Sequence, residues 1–372
     1  MPVATNVRRG LADQSLIIIL GILLIAGLAA LMSASAPVGY AEWHDSYFFV
    51  KRQILFGLLP GSAVFLVAAK IPSTLWARFA WPLYATTLAL LIIVFIPGIG
   101  LAINGSRSWL GVFGFSLQPS EFAKLSIVIL LAYLLTYRPY DWTKWQESIL
   151  PIGAALAPAL LLIVAQHDVG TLSIIAIIIF VMLFVGRVPG LYLTILGLAG
   201  IVAFSLLIML APYRLARLTT FIHPELDPKG VGYQVNQSFL AIGSGGFWGL
   251  GFGHSRQKFQ YLPEVSADSI FAIIAEENGF LISTAIIALI MLIGWRSLRI
   301  AKRAPSPFAE LVVTGIVVWI VWQSFLNIGA AVGVLPLTGV PLPFISHGGS
   351  ALIAALAAMG VVISISKEAK AN

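Results

Sequence analysis

The chain contains no cysteine, so no disulfide or thiolate site is possible and the redox compartment leaves no trace in it. Charge is scarce too. Asp, Glu, Lys and Arg make up 10% of 372 residues, against roughly 25% in a soluble globular domain. Hydrophobic residues reach 59% and the mean hydropathy is +0.97. Together these values exclude an ordinary soluble fold and imply an all-α polytopic membrane protein, whose helices face lipid and one another. No convincing internal repeat is present, which argues against an inverted-repeat transporter. The formal net charge of +7 could suggest nucleic acid. In so apolar a chain it reflects a basic cytoplasmic side and anionic ligands instead.

Apolar windows of about 20 residues mark membrane helices. They fall near 15–36, 53–69, 79–98, 119–137, 149–165, 169–186, 189–211, 269–294, 308–332 and 348–366. That is about ten spans in one domain covering the whole chain. The short fifth and sixth spans could form one bent hairpin. The first ends in Ala34-Ser35-Ala36, which imitates a signal-peptidase site, but its apolar run is too long for a signal peptide and Pro37 follows at once. It is read as a retained helix. The last span is dense in Ala351, Ala354, Ala355, Ala357, Ala358 and Gly360, which lets neighbours approach closely.

Basic residues set the orientation. With the N-terminus inside, the inner segments carry Arg8, Arg9, Lys70, Arg78, Arg138, Lys144, Arg187, Arg296, Arg299, Lys302, Arg303, Lys367 and Lys370. The short outer segments carry only Lys51, Arg52, Arg107 and Lys124. Both termini are therefore expected in the cytoplasm, with the long 212–267 loop between helices 7 and 8 outside.

The unusual sequence gathers on that outer side. Asp268 stands where the long loop turns into an apolar helix, and a charge at a membrane boundary needs a reason. Gln118-Pro119-Ser120-Glu121-Phe122-Ala123-Lys124 opens another helix, with Pro119 suited to its first position. Glu121 and Lys124 are three apart and can pair, either as a structural ion pair or with Lys124 turned to a substrate phosphate. In Gln166-His167-Asp168, Asp168 is placed to cap the next helix, and His167 has no second histidine at ligand spacing. The glycine-rich run from Gly243 to Gly253 lacks the Gly-Lys-Ser/Thr ending of a nucleotide loop, and is read as tight turns and close backbone approach to a ligand. The segment from Gly333 through Pro341-Leu342-Pro343-Phe344-Ile345-Ser346-His347-Gly348-Gly349-Ser350 is apolar yet too rich in Pro and Gly for a helix, so it is expected to wall a cavity.

In order along the chain, Gln118-Pro119-Ser120-Glu121-Phe122-Ala123-Lys124, Gly232-Tyr233-Gln234, Tyr261-Leu262-Pro263-Glu264 with Asp268, and Pro341 to Ser350 resemble the SEDS (shape, elongation, division and sporulation) family. The run Ser255 to Glu264 looks more like its FtsW branch than its RodA branch. The resemblance implies a glycosyltransferase that polymerises lipid II, the undecaprenyl-pyrophosphate-linked disaccharide-pentapeptide, on the outer face of the bacterial cytoplasmic membrane, in division or elongation. It implies Asp268 as the essential acid and Glu121 and Lys124 as functional residues. A class B penicillin-binding protein (a transpeptidase) and other divisome or elongasome membrane proteins are the implied partners. Three positions depart from the family pattern. Ser266-Ala267-Asp268-Ser269 stands for His-Thr-Asp-Phe, His167 for Pro, and His347 for Tyr.

Asp268 is expected to take the acceptor proton, kept ionised by the helix N-terminus. Arg107, Lys124, Arg214, Arg217, Arg256 and Lys258 are candidates for the pyrophosphate. Ser346, Gly348, Gly349 and Ser350 are expected to touch substrate. A divalent cation, magnesium or manganese, could assist the leaving group, although no ligand cluster requires one. Two other readings compete. A lipid II flippase would use Glu276 and Glu277 within the membrane, and a non-catalytic scaffold would have no need of Asp268.

Overall fold

The computed structural model describes residues 10–103, 106–112, 115–138, 140–210, 212–223, 227 and 230–369. Asn104, Gly105 and Lys229, like Arg8, Arg9 and Lys370, lie outside the described residues. The chain is helical nearly throughout. In order come α1 (Gln14–Trp43), α2 (Phe48–Gln53), a π-helical turn (Ile54–Leu58), α3 (Leu59–Ala68), α4 (Ser73–Arg78) and α5 (Ala80–Ile93). Strands β1 (Gly100–Ile103), β2 (Ser106–Val112) and β3 (Phe115–Leu117) follow, then α6 (Pro119–Tyr137), α7 (Ile149–Ala165), α8 (Val169–Val185) and α9 (Gly190–Met209). The second half holds α10 (Pro212–Ile222), α11 (Val231–Gly245), α12 (Ile270–Lys302), α13 (Pro307–Ala331) and α14 (Gly349–Glu368).

Among the described residues seven stretches are long and apolar enough to cross a membrane, α2 and α3 counting as one, and α5, α7 and α8 are shorter apolar helices. Together they account for the ten spans read from the sequence. At 17 residues each, α7 and α8 are about 25 Å long. They are two helices joined by a tight turn at Gln166–Asp168. Asp168 Oδ1 accepts from Thr171 N at 3.0 Å, the cap expected of it. Likewise Asp13 caps α1 through Leu16 N at 2.9 Å.

Three expectations needed correction. The first helix does not stop at Ala36 but runs to Trp43 with Pro37 inside it. A small antiparallel sheet, β1-β2-β3, stands between α5 and α6, where only a loop was expected. The long loop also folds into α10 and α11, and the helix after it is broken: at Gly279 φ is +72°, a conformation that favours glycine. The glycine turn 246–251 inserts at that break. Leu250 N donates to Glu276 O at 3.0 Å, Gly251 N to Glu277 O at 2.9 Å, and Phe280 N to Gly246 O at 2.9 Å. These glycines bring the turn's backbone close against α12.

Central and peripheral helices separate by burial. In α6, α13 and α14 the most apolar windows are 72%, 72% and 78% buried, against 6% in α9, which therefore faces lipid. Small residues bring α14 onto α3, where a side chain at Gly360 would collide with the Phe65 carbonyl. Gly10 N donates to Lys367 O at 2.7 Å, and Asp13 pairs with Arg296 at 3.0 Å, so both ends of the described chain lie at one end of the bundle. The start of α6, the start of α12 and the end of α13 lie at the other.

Candidate active site

Asp268 sits two residues before α12, with Ser269 at the cap position. Its backbone is tied down from two sides. Asn327 Nδ2, on α13, donates to the Asp268 carbonyl at 2.9 Å and to the Val340 carbonyl at 2.8 Å. Ser346 Oγ donates to the Ala267 carbonyl at 2.5 Å and accepts from Leu342 N at 2.8 Å, while His347 N donates to Ser266 O at 2.8 Å. The Pro/Gly segment before α14 is thus strapped against the acid, and its irregular backbone is satisfied by protein, as membrane depth requires.

The carboxylate itself is poorly satisfied. Its Oδ1 is buried with no hydrogen-bond partner. Burial, with the nearby negative charge of Glu264, pushes its pKa from 3.8 up to about 6, against the opposing influence of Arg217 and Gln234. Burial thus resists the charge that the helix start was expected to favour. The result is a stronger base than an ordinary aspartate, still mostly deprotonated at neutral pH.

A second network lies beneath the strap. Lys124 Nζ is 2.8 Å from the Glu121 carboxylate and 2.7 Å from Gln323 Oε1, and sits 4.8 Å above the Trp319 ring. Lys124 is fully buried. The structural ion pair is the arrangement present, and no face of the ammonium is open to a phosphate. Gln323 Nε2 donates to Pro341 O at 2.8 Å, which couples this pair to the strap. Glu121, Gln323, Pro341, Phe344 and Ser346 line a cavity of ≈ 10 Å³, about the room of one water.

The other expected residues divide. Arg217, on α10, donates to the Leu337 carbonyl at 3.3 Å and bears electrostatically on Asp268. Arg214 donates back to Leu207 O at 2.9 Å. Arg107, on β2, and Arg256 are exposed. Lys258 is not a rim residue. It is 4% exposed, and its ammonium meets Glu277 Oε1 at 2.8 Å, Gly253 O at 2.7 Å and Ser33 Oγ at 3.0 Å. Glu276 is enclosed by Ser255 Oγ and by Arg256 N at 2.9 Å. These two acids hold the kink of α12 to the loop, so a transport role loses its motive. Ser350 Oγ, on α14, accepts from Gln118 N and donates to Ser116 O, both at 3.1 Å, which ties β3 and the start of α6 to α14. Gly348 N donates to Gln53 Oε1 at 3.0 Å, and Gln53 Nε2 reaches Ser346 O at 3.2 Å.

Gln53 was not anticipated. It stands beside the π-helical turn, a distortion frequent at functional sites, and a lone amide opening an apolar run was the available signal. Among the described residues no group of three or more His, Asp or Glu is arranged to hold a metal. No step is assigned to a magnesium or manganese ion.

Residues 13–371 match the family described as "Cell cycle protein", that of FtsW, RodA and SpoVE. The chain belongs to this family. It is 41% identical to stage V sporulation protein E of Bacillus subtilis over 95% of this chain and 97% of that one. It is 35% identical to the probable peptidoglycan glycosyltransferase FtsW of Geobacter sp. strain M18 over 95% and 96%. Among solved structures, a chain from a peptidoglycan synthase complex that coordinates polymerization and crosslinking superposes with a TM-score of 0.77 at 28% identity, covering 95% of this chain and 97% of that one. RodA of Thermus thermophilus superposes at 0.72 and 26%, covering 97% and 98%.

Within the FtsW/RodA/SpoVE frame the departures acquire a structural form. His167 has φ +63°, which a proline could not adopt. His347 packs edge-on against Phe49 at 5.2 Å, and burial, with Arg52 nearby, lowers its pKa to about 4, so it is neutral at physiological pH.

Proposed function

We propose that this chain is a peptidoglycan glycosyltransferase that polymerises lipid II, with Asp268 as its general base. The observation that carries the reading is the Asp268 carboxylate: strapped in place, with one oxygen buried and unpartnered, and with its basicity raised. Asp268 takes the proton from an acceptor sugar hydroxyl. The hydroxyl oxygen forms the new glycosidic bond as the donor's bond to pyrophosphate breaks. Arg217, beside the acid, and the exposed Arg107 and Arg256 meet the pyrophosphate. The lipid tail leaves the site sideways into the bilayer.

The chain works in the bacterial cytoplasmic membrane with both termini in the cytoplasm and Asp268 on the outer face. The basic-residue asymmetry supports this orientation, and the two ends of the described chain share one side of the bundle, as it requires. Its partner is a class B penicillin-binding protein, within a division or elongation assembly. The test is a polymerisation assay of purified protein with lipid II in detergent, with and without that transpeptidase. Glycan strands are expected where no sealed compartment exists. A protein that makes no strands there under either condition, yet moves lipid II across vesicles, would be a transporter.

A further inference from the structure

A groove of ≈ 470 Å³ lies far from Asp268, between α5, α6 and α7. Its size is that of a ligand site. Trp81, Tyr84, Leu88, Leu134, Arg138 and Pro158 line it. Tyr84 forms the floor, 2% exposed and bonded to the Ala155 carbonyl at 2.6 Å. Trp81, Ala154 and Pro158 form exposed walls, so the groove opens sideways toward the bilayer. Arg138 stands at the end of α6, and α6 ends on the side of the bundle that carries both termini.

Two features separate this groove from ordinary lipid-facing surface. First, Arg138 is exposed and makes no ion pair among the described residues, whereas the next cation along the chain, Lys144, is held by Asp141 and Glu147. Second, Pro158 inside α7 lacks the N–H that would bond the Ala154 carbonyl, and Ala154 lines the groove. A cation thus stands at the headgroup end of an apolar channel whose wall holds a carbonyl without its usual helical donor.

We propose that this groove is a binding site for an anionic phospholipid. One acyl chain lies against Leu88, Leu134 and Pro158, and the phosphate rests on Arg138. A phosphodiester takes the planar guanidinium through paired hydrogen bonds, and phosphatidylglycerol brings no cation to oppose it. Phosphatidylcholine has the same chain and phosphate but adds a fixed cation, so the site favours the anionic lipid.

The test is native mass spectrometry of the purified full chain, released from detergent after incubation with equal amounts of phosphatidylglycerol and phosphatidylcholine. The wild type is expected to retain one phosphatidylglycerol in preference. Arg138→Glu should lower that preference about fivefold or more, since a basic side chain near a lipid surface contributes ~1 kcal/mol. Arg138→Lys should keep most of it, and Ala154→Trp, which fills the channel, should lower retention of both lipids. Lys144→Glu, already paired elsewhere, should change nothing. A wild type without lipid preference, or an Arg138→Glu chain that is monodisperse and retains phosphatidylglycerol as the wild type does, would overturn the proposal.

Discussion

The side-chain amide of Asn327 donates to the backbone carbonyl of Asp268 at 2.9 Å. The same amide group donates to Val340 O, so one residue of α13 fixes both the acid and the strap that faces it. Asn327→Ala should leave the bundle folded but let the acid drift. Misplacement by about 1 Å can cost on the order of 100-fold in rate. The expected result is a fall in kcat with little change in lipid II affinity; a fall confined to affinity would place Asn327 in substrate binding instead.

The pH profile should carry the mark of the raised pKa. Rate should fall on the acid side with an apparent pKa of about 6. Glu264 raises that value and Arg217 lowers it. Glu264→Gln should therefore move the acid limb to lower pH, and Arg217→Ala to higher pH. Stability moves in the opposite sense to rate. Between 3.8 and about 6 the folded chain holds a proton that the unfolded chain has released, so stability declines as pH rises through that window. Asp268→Asn should remove this decline, and thermal unfolding across the window checks it.

Lys124→Ala leaves the Glu121 carboxylate buried without its cation. Breaking such a pair costs about 3–5 kcal/mol. The single variant should lose thermal stability sharply, and a combined Lys124→Met, Glu121→Leu variant should recover much of it. Unchanged stability in Lys124→Ala with lost activity would return Lys124 to the role of phosphate ligand.

Lys258 and Arg256 are two residues apart and should behave differently. Lys258→Ala should destabilise the kinked region of α12, because Glu277 loses its partner. Arg256→Ala, at an exposed side chain, should leave stability alone and raise KM for lipid II. Equal effects on KM at both positions would mean that the loop opens and presents both cations.

Much of this was legible in the sequence. Ten apolar runs announced the bundle, Asp168 announced a cap, and the alanine-rich last span announced close packing. The irregular segment from Gly333 to Ser350 was recognisable because it is apolar yet too rich in Pro and Gly for a helix. What stayed hidden depended on three-dimensional neighbours. Lys258 read as a rim cation because nothing in its local sequence shows that Glu277, nineteen residues later, folds back onto it. Lys124 could be read either as an ion pair or as open to phosphate, because its enclosure comes from Trp319 and Gln323 on α13. The basicity of Asp268 was misjudged for the same reason: the helix start is local, whereas the burial that outweighs it is tertiary. The small sheet was missed because its short strands lack a sustained alternation of apolar and polar residues.

The central claim is that Asp268 is the base. The most direct measurement compares wild type and Asp268→Asn in the detergent polymerisation assay, with lipid II binding measured on the same preparations. Asn keeps the shape and loses the basicity, so the variant should bind lipid II as the wild type does and make strands about 10²–10⁴-fold more slowly. A variant that polymerises at the wild-type rate would contradict the account and move the base elsewhere.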